Sequence, residues 1–158
     1  MSSKPLSTIG WIILVIRILF GGLFIYTSVW HSMHAKEFLQ SIKDYQIISG
    51  PIVPWSGLLF IILEASIGVT LVFGYFVRQM AFVAAALLAV FTGVFVSAIA
   101  RKLDIACGCG LGDTKVGWLD VVRDVLLMAI ALLIAWRTGK NAEELSTEQT
   151  AEQLSAAK

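Results

Sequence analysis

From Met80 to Ala100 the chain runs for 21 residues without one charged side chain. That stretch decides the solvent, because a helix needs roughly 20 predominantly apolar residues to cross about 30 Å of hydrocarbon. Three further stretches come close to the same specification. Residues 9–30 are interrupted only by Arg17, and residues 54–76 only by Glu64. Residues 118–136 carry Asp120, Arg123 and Asp124 in their opening turns and are otherwise apolar. The whole composition agrees: 58% of residues are hydrophobic, 15% are charged, and mean hydropathy is +0.83. A soluble domain of this size needs more charge, since surface outnumbers core in a small protein.

A bilayer offers no hydrogen bonds to exposed backbone, so each run must be helical. The alternation of a membrane barrel strand is absent, and the runs are too long for one. The first run is too long for the apolar core of a signal peptide and lacks a small-x-small site after it, so it reads as a retained span. No lipidation motif is present. The expected fold is all-α: a four-transmembrane-helix bundle with spans at about 9–30, 54–76, 80–100 and 118–136. Residues 1–140 form the membrane domain. Residues 141–158, polar and Glu-rich, form a tail expected to be mobile or marginally helical.

Four spans place both termini on one side, face A, with the link around residues 75–79. Face B holds the loops 31–53 and 101–117. In the first of these, Phe38, Ile42 and Tyr45 recur at helical spacing among charges, which predicts a short interfacial helix in the headgroup region. Gly50, Pro51 and Pro54 then break the chain before the second span. Basic residues near the span ends number four on face A and five on face B, so charge does not orient the protein. In the third span Ala81, Ala85, Ala89, Gly93 and Ser97 repeat every fourth residue. That pattern predicts a stripe of small side chains against another helix, of this chain or a partner.

The only two cysteines, Cys107 and Cys109, are separated by one glycine. Residues two apart have Cα atoms about 5.5–7 Å from each other, overlapping the upper range a disulfide tolerates. The closed ring is small and strained, and strain makes it easier to reduce. Gly108 and Gly110 relax the backbone, and Arg101, Lys102 and Lys115 favour thiolate. Three readings stand side by side. The pair is a redox-active dithiol, or it joins His31 and His34 in a tetrahedral metal site, or it is two incidental thiols in a glycine-rich turn.

Arg17 and Glu64 lie well inside the hydrocarbon, where an unpaired charge costs at least about 3 kcal/mol. Their depths differ by roughly one helical turn, so a direct Arg17–Glu64 contact is expected. Arg123 and Asp124 enter from face B beneath the cysteines. Together these intramembrane polar residues form either a polar pocket, with a proton or quinone path, or a structural ion pair that fixes helix order.

These features resemble the MauE/DoxX family of redox-associated membrane proteins. The likeness is carried by Arg17-Ile-Leu-Phe-Gly21-Gly22-Leu-Phe24, by Glu64-x-x-x-Gly68 closing on Gly74, by the cysteine loop 104–112, and by Val116-Gly117-Trp118 with Arg123-Asp124. It covers about residues 9–137. The chain departs from the family pattern at Ser28 and His31, where Gly and Lys are frequent. It also departs at Gly110-Leu111-Gly112, which lacks the aromatic residue after the second cysteine. The resemblance implies assistance to disulfide formation in exported proteins, beside a thioredoxin-like or rhodanese-like extracytoplasmic partner. DoxX-type relatives couple such chemistry to quinone, the one cofactor candidate. It also implies a multi-pass protein of a bacterial inner membrane, with face B outside and the termini cytoplasmic. The competing class is a non-enzymatic accessory subunit that packs against other membrane subunits and binds a metal or nothing. No nucleic-acid partner is expected.

Overall fold

The fold is seen in a computed structural model, which describes residues 8–103, 105 and 116–156. Its elements are α1 (Thr8–Met33), α2 (Ala35–Asp44), a single 3-10 turn (Gly50–Ile52), α3 (Val53–Phe73), α4 (Val77–Ala100) and α5 (Trp118–Ala156). Among the described residues all regular structure is helical. Three helical stretches, Gly10–Met33, Gly50–Phe73 and Val77–Ala100, are long and apolar enough to cross a membrane. The expected fourth span, 118–136, is part of α5 and is not among these three. The helix also continues through the segment 141–156 that had been expected to be mobile or marginally helical.

The helices bury narrow seams and leave broad apolar faces open. Leu19 (69% exposed), Trp55 (72%) and Leu119 (86%) stand on those outer faces. Such surfaces are costly in water and ordinary against lipid. The inward seams repeat at alternating steps of three and four. On α1 they run Gly21, Phe24, Ser28, His31; on α3 Val53, Gly57, Glu64, Ile67, Leu71; on α4 Val77, Ala81, Ala84, Leu88, Phe95, Ala98. That near-heptad period keeps a seam facing a neighbour that crosses at a shallow angle.

The seams pair the helices in two couples, α1 with α3 and α4 with α5, and the contact between α3 and α4 is thinner. Between α1 and α3 the approach is close because Gly21 and Gly68 face each other. A Cβ on Gly68 would sit 2.8 Å from the Gly21 carbonyl oxygen and 2.9 Å from the Ile25 nitrogen. Ser28 Oγ donates to the Ile61 carbonyl at 3.1 Å across the same interface. The link from α3 to α4 is tight, with Gly74 (φ 86°) and Phe76 (φ 49°) both left-handed. The Gly74 N–H donates to the Thr70 carbonyl and closes α3 in the usual glycine-capped way.

Within this chain the small-residue stripe of α4 is half covered: Ala81 and Ala85 are buried, while Ala89 and Gly93 are exposed. A step of four residues advances 400°, so each repeat drifts about 40° around the helix and five repeats wind off the contact face. Similarly, α2 forms where Phe38, Ile42 and Tyr45 predicted a helix, and its apolar face packs on protein. Phe38 and Tyr45 are both buried, and Leu39 packs against Gly57 of α3.

Candidate functional site

The site begins with a charged residue that the fold has to bury. Glu64 stands near the middle of α3, about 16 Å along the axis from its start, and is only 4% exposed. Its partner is His31, not Arg17. A hydrogen bond of 2.8 Å links His31 Nδ1 and Glu64 Oε2, with side-chain exposures of 5% and 6%. Phe38 of α2 lies flat over the imidazole, ring centroids 4.0 Å apart and planes 15° apart. The strap formed by α2 therefore covers the pair from above.

Arg17 is elsewhere. Its guanidinium reaches the end of α3, where Gly74 leaves room: a Cβ there would lie 3.3 Å from Arg17 Nη2. Among the described residues its Nε has no hydrogen-bond partner. The reason is directional. Helical side chains lean toward their own N-terminus, and α1 and α3 run antiparallel. Arg17 thus leans toward face A while Glu64 leans toward face B. In the register set by Gly21 and Gly68, the two are about eight residues apart, roughly 12 Å along the axis. His31 on α1 leans inward, toward Glu64.

Arg123 and Asp124 are brought to the same place from α5. Arg123 Nη2 donates to Asp124 Oδ1 at 3.1 Å, and Arg123 Nη1 lies 3.3 Å from Asp120 Oδ1. Asp120 Oδ2 also accepts the Gly117 N–H at 3.0 Å, reaching back from the first turn of α5 to the residue before it. Of the four intramembrane polar residues expected from sequence, Glu64, Arg123 and Asp124 share one cavity, and Arg17 does not line it. The cavity is about 200 Å³ and lies between the two helix couples. Its walls are chiefly apolar and aromatic, with Phe24, Phe60, Phe91 and Phe95 among them.

Cys107 and Cys109 lie outside the described residues, but both ends of their loop are described. The Val116 N–H donates to the Ile105 carbonyl at 3.0 Å. Leu103, Ile105 and Val116 pack against a cluster of Tyr45, Phe95, Ala98 and Val121, of which Tyr45 and Phe95 also line the cavity. His34 turns away from His31: it stacks on Trp30 at 4.1 Å, and its Nδ1–H donates to the Trp30 carbonyl. No cluster of three or more metal-ligating side chains exists among the described residues.

Sequence reasoning missed His31 as an inner residue because it ended the first span at Trp30. The signal was available: Arg17, Gly21, Phe24, Ser28 and His31 keep one seven-residue period, so His31 shares the face that packs on α3.

Helices this apolar on their outer faces, enclosing a buried acid–imidazole pair and an aromatic cavity, define an integral membrane protein. The chain belongs to the MauE family: the family model described as methylamine utilisation protein MauE matches residues 9–137. It is similar to the methylamine utilization protein MauE of Paracoccus denitrificans, 31% identical over 123 residues. The alignment covers 76% of this chain and 66% of the relative, so the match spans just under two thirds of that protein's length. No solved structure matches the chain.

Proposed function

We propose that this chain is a membrane thiol–disulfide exchange protein whose Cys107/Cys109 pair passes electrons between an extracytoplasmic thiol partner and the membrane. The partner is of thioredoxin-like or rhodanese-like type. The relative's name makes methylamine utilisation the process in which such exchange is used. In this reading α5 spans the bilayer as the fourth helix, the protein is multi-pass, the termini are cytoplasmic, and the cysteine loop faces outward.

The observation that carries the reading is where the cysteine loop is anchored. Its described ends are tied by the Ile105–Val116 hydrogen bond and pack against the cluster that includes Tyr45 and Phe95. Those two side chains also wall the cavity that holds the His31–Glu64 pair. Two thiols one residue apart are suited to thiolate attack on a partner disulfide, followed by resolution through the second thiol. The rival, an accessory subunit with metal on His31, His34, Cys107 and Cys109, gains no support from the histidines. His31 faces Glu64 beneath Phe38, while His34 stacks on Trp30.

Single Cys107→Ser and Cys109→Ser variants, expressed in cells, test the proposal. One of them should trap a covalent mixed disulfide with an exported protein, released by reductant. Full function in the double Cys→Ser variant would end the redox reading.

A further inference from the structure

We propose that face A carries a binding site for the phosphate of an anionic phospholipid, built by Arg17, Arg78 and Arg137 around the α3–α4 link. The site is independent of the redox reading above. Charge is divided unevenly between the two faces. Outside the segment 141–158, every acidic side chain is either Glu64 or lies in the face B segments 31–53 and 101–124. Helix packing gathers the arginines at the opposite end. Arg17 reaches Gly74, and a Cβ on Gly139 of α5 would lie 3.3 Å from both Cζ and Nε of Arg78. Gly74 and Arg78 are four residues apart, so their Cα atoms lie within about 14 Å. Arg137 precedes Gly139 by two residues.

These cations lack what the face B arginine has. Arg123 is held by Asp120 and Asp124, whereas Arg17, Arg78 and Arg137 have no ion-pair partner among the described residues. The Nε atoms of Arg17 and Arg137 are buried and, among the described residues, without a hydrogen-bond partner. A buried charged donor left unpaired is costly, and an anion that accepts its hydrogen removes the cost. The helix dipole accounts for Arg17 beside the end of α3, but not for Arg78. Arg78 is the second residue of α4, where the dipole disfavours a cation and both favour an anion. A phosphate oxygen pair matches the planar fork of a guanidinium.

The surroundings name the source of that phosphate. Tyr75 and Phe76 stand exposed beside Gly74. Trp136, also exposed, has Arg137 Cζ at 5.3 Å and Lys140 Nζ at 4.3 Å from its ring. Aromatic and basic side chains mixed at the helix ends mark the depth of lipid headgroups. Acyl chains attached to the phosphate would continue down the open apolar faces of the helices, which a soluble phosphate cannot use. The positive group of a zwitterionic headgroup would meet arginines and no acid of residues 1–140, so the site selects headgroups of net negative charge.

The test offers the delipidated full chain, in detergent, equal amounts of dioleoylphosphatidylglycerol and dioleoylphosphatidylcholine, and counts bound lipid by native mass spectrometry. Phosphatidylglycerol should be retained roughly ten-fold over phosphatidylcholine. Arg17→Gln/Arg78→Gln/Arg137→Gln should abolish that preference. Arg78→Gln alone, at an exposed position, keeps the fold and should lower it several-fold. Lys36→Gln/Lys43→Gln removes two exposed charges from face B and should leave it unchanged. Equal retention of the two lipids would overturn the site, as would a preference that the face B variant weakens as much as Arg78→Gln does. Displacement of the lipid by excess inorganic phosphate would overturn the phospholipid as occupant.

Discussion

His31 and Glu64 meet at 2.8 Å across the α1–α3 interface, and no other described acid–base pair is so deeply enclosed in this chain. The pair is covered by Phe38 and faces the cavity. Each residue leaves the other stranded if lost.

His31→Ala should therefore destabilise the protein by about 3–5 kcal/mol, since it leaves Glu64 buried without its partner. Adding Glu64→Leu should recover most of that loss. Unfolding titrations in detergent on the two singles and the double complete the cycle. Losses that simply add would mean the two groups are not coupled.

Arg17 and Glu64 should behave as strangers. Losses from Arg17→Gln and Glu64→Gln should add within about 0.5 kcal/mol, as expected for separated sites. An interaction energy of about 1 kcal/mol or more would place the guanidinium near Glu64 and not near Gly74.

Two glycines should differ sharply. Gly68→Ala puts a Cβ against the backbone of Gly21 and Ile25 and must push α1 from α3, costing about 1–3 kcal/mol. A Cβ on Gly93 meets nothing within 4 Å, so Gly93→Ala should stay within about 0.5 kcal/mol of wild type. Thermal midpoints of the purified variants decide it, and equal shifts would refute the α1–α3 register.

The proposed outward face of the cysteine loop predicts labelling of Cys107 or Cys109 by a membrane-impermeant maleimide on reduced, intact cells. Labelling that appears only after lysis would reverse the orientation.

Three of the apolar spans were legible because length and nearly charge-free composition suffice to specify a membrane helix, as Met80–Ala100 demonstrates. Glu64, Arg123 and Asp124 were legible as inner polar residues for the same reason: charge inside such a run has to be accommodated. Their partners were not. Pairing Arg17 with Glu64 used depth alone and ignored the lean of side chains along antiparallel helices. The α4 stripe has a period of four where the helix turns every 3.6 residues, so Ala89 and Gly93 rotate onto a face that the described helices leave open. The strap formed by α2 carried its helical signal in Phe38 and Tyr45, but a helical period does not say whether lipid or His31 lies beneath it.

The division into two couples has a consequence for biogenesis. Both members of the α1–α3 couple precede α4 and α5 in the chain and so leave the ribosome first. His31 and Glu64 therefore find each other while their open side is still accessible. The wall that carries Phe91, Phe95 and Arg123 arrives afterwards and completes the enclosure. A pair that forms in that order is desolvated with its hydrogen bond already made, which spares the chain the cost of a lone carboxylate in hydrocarbon.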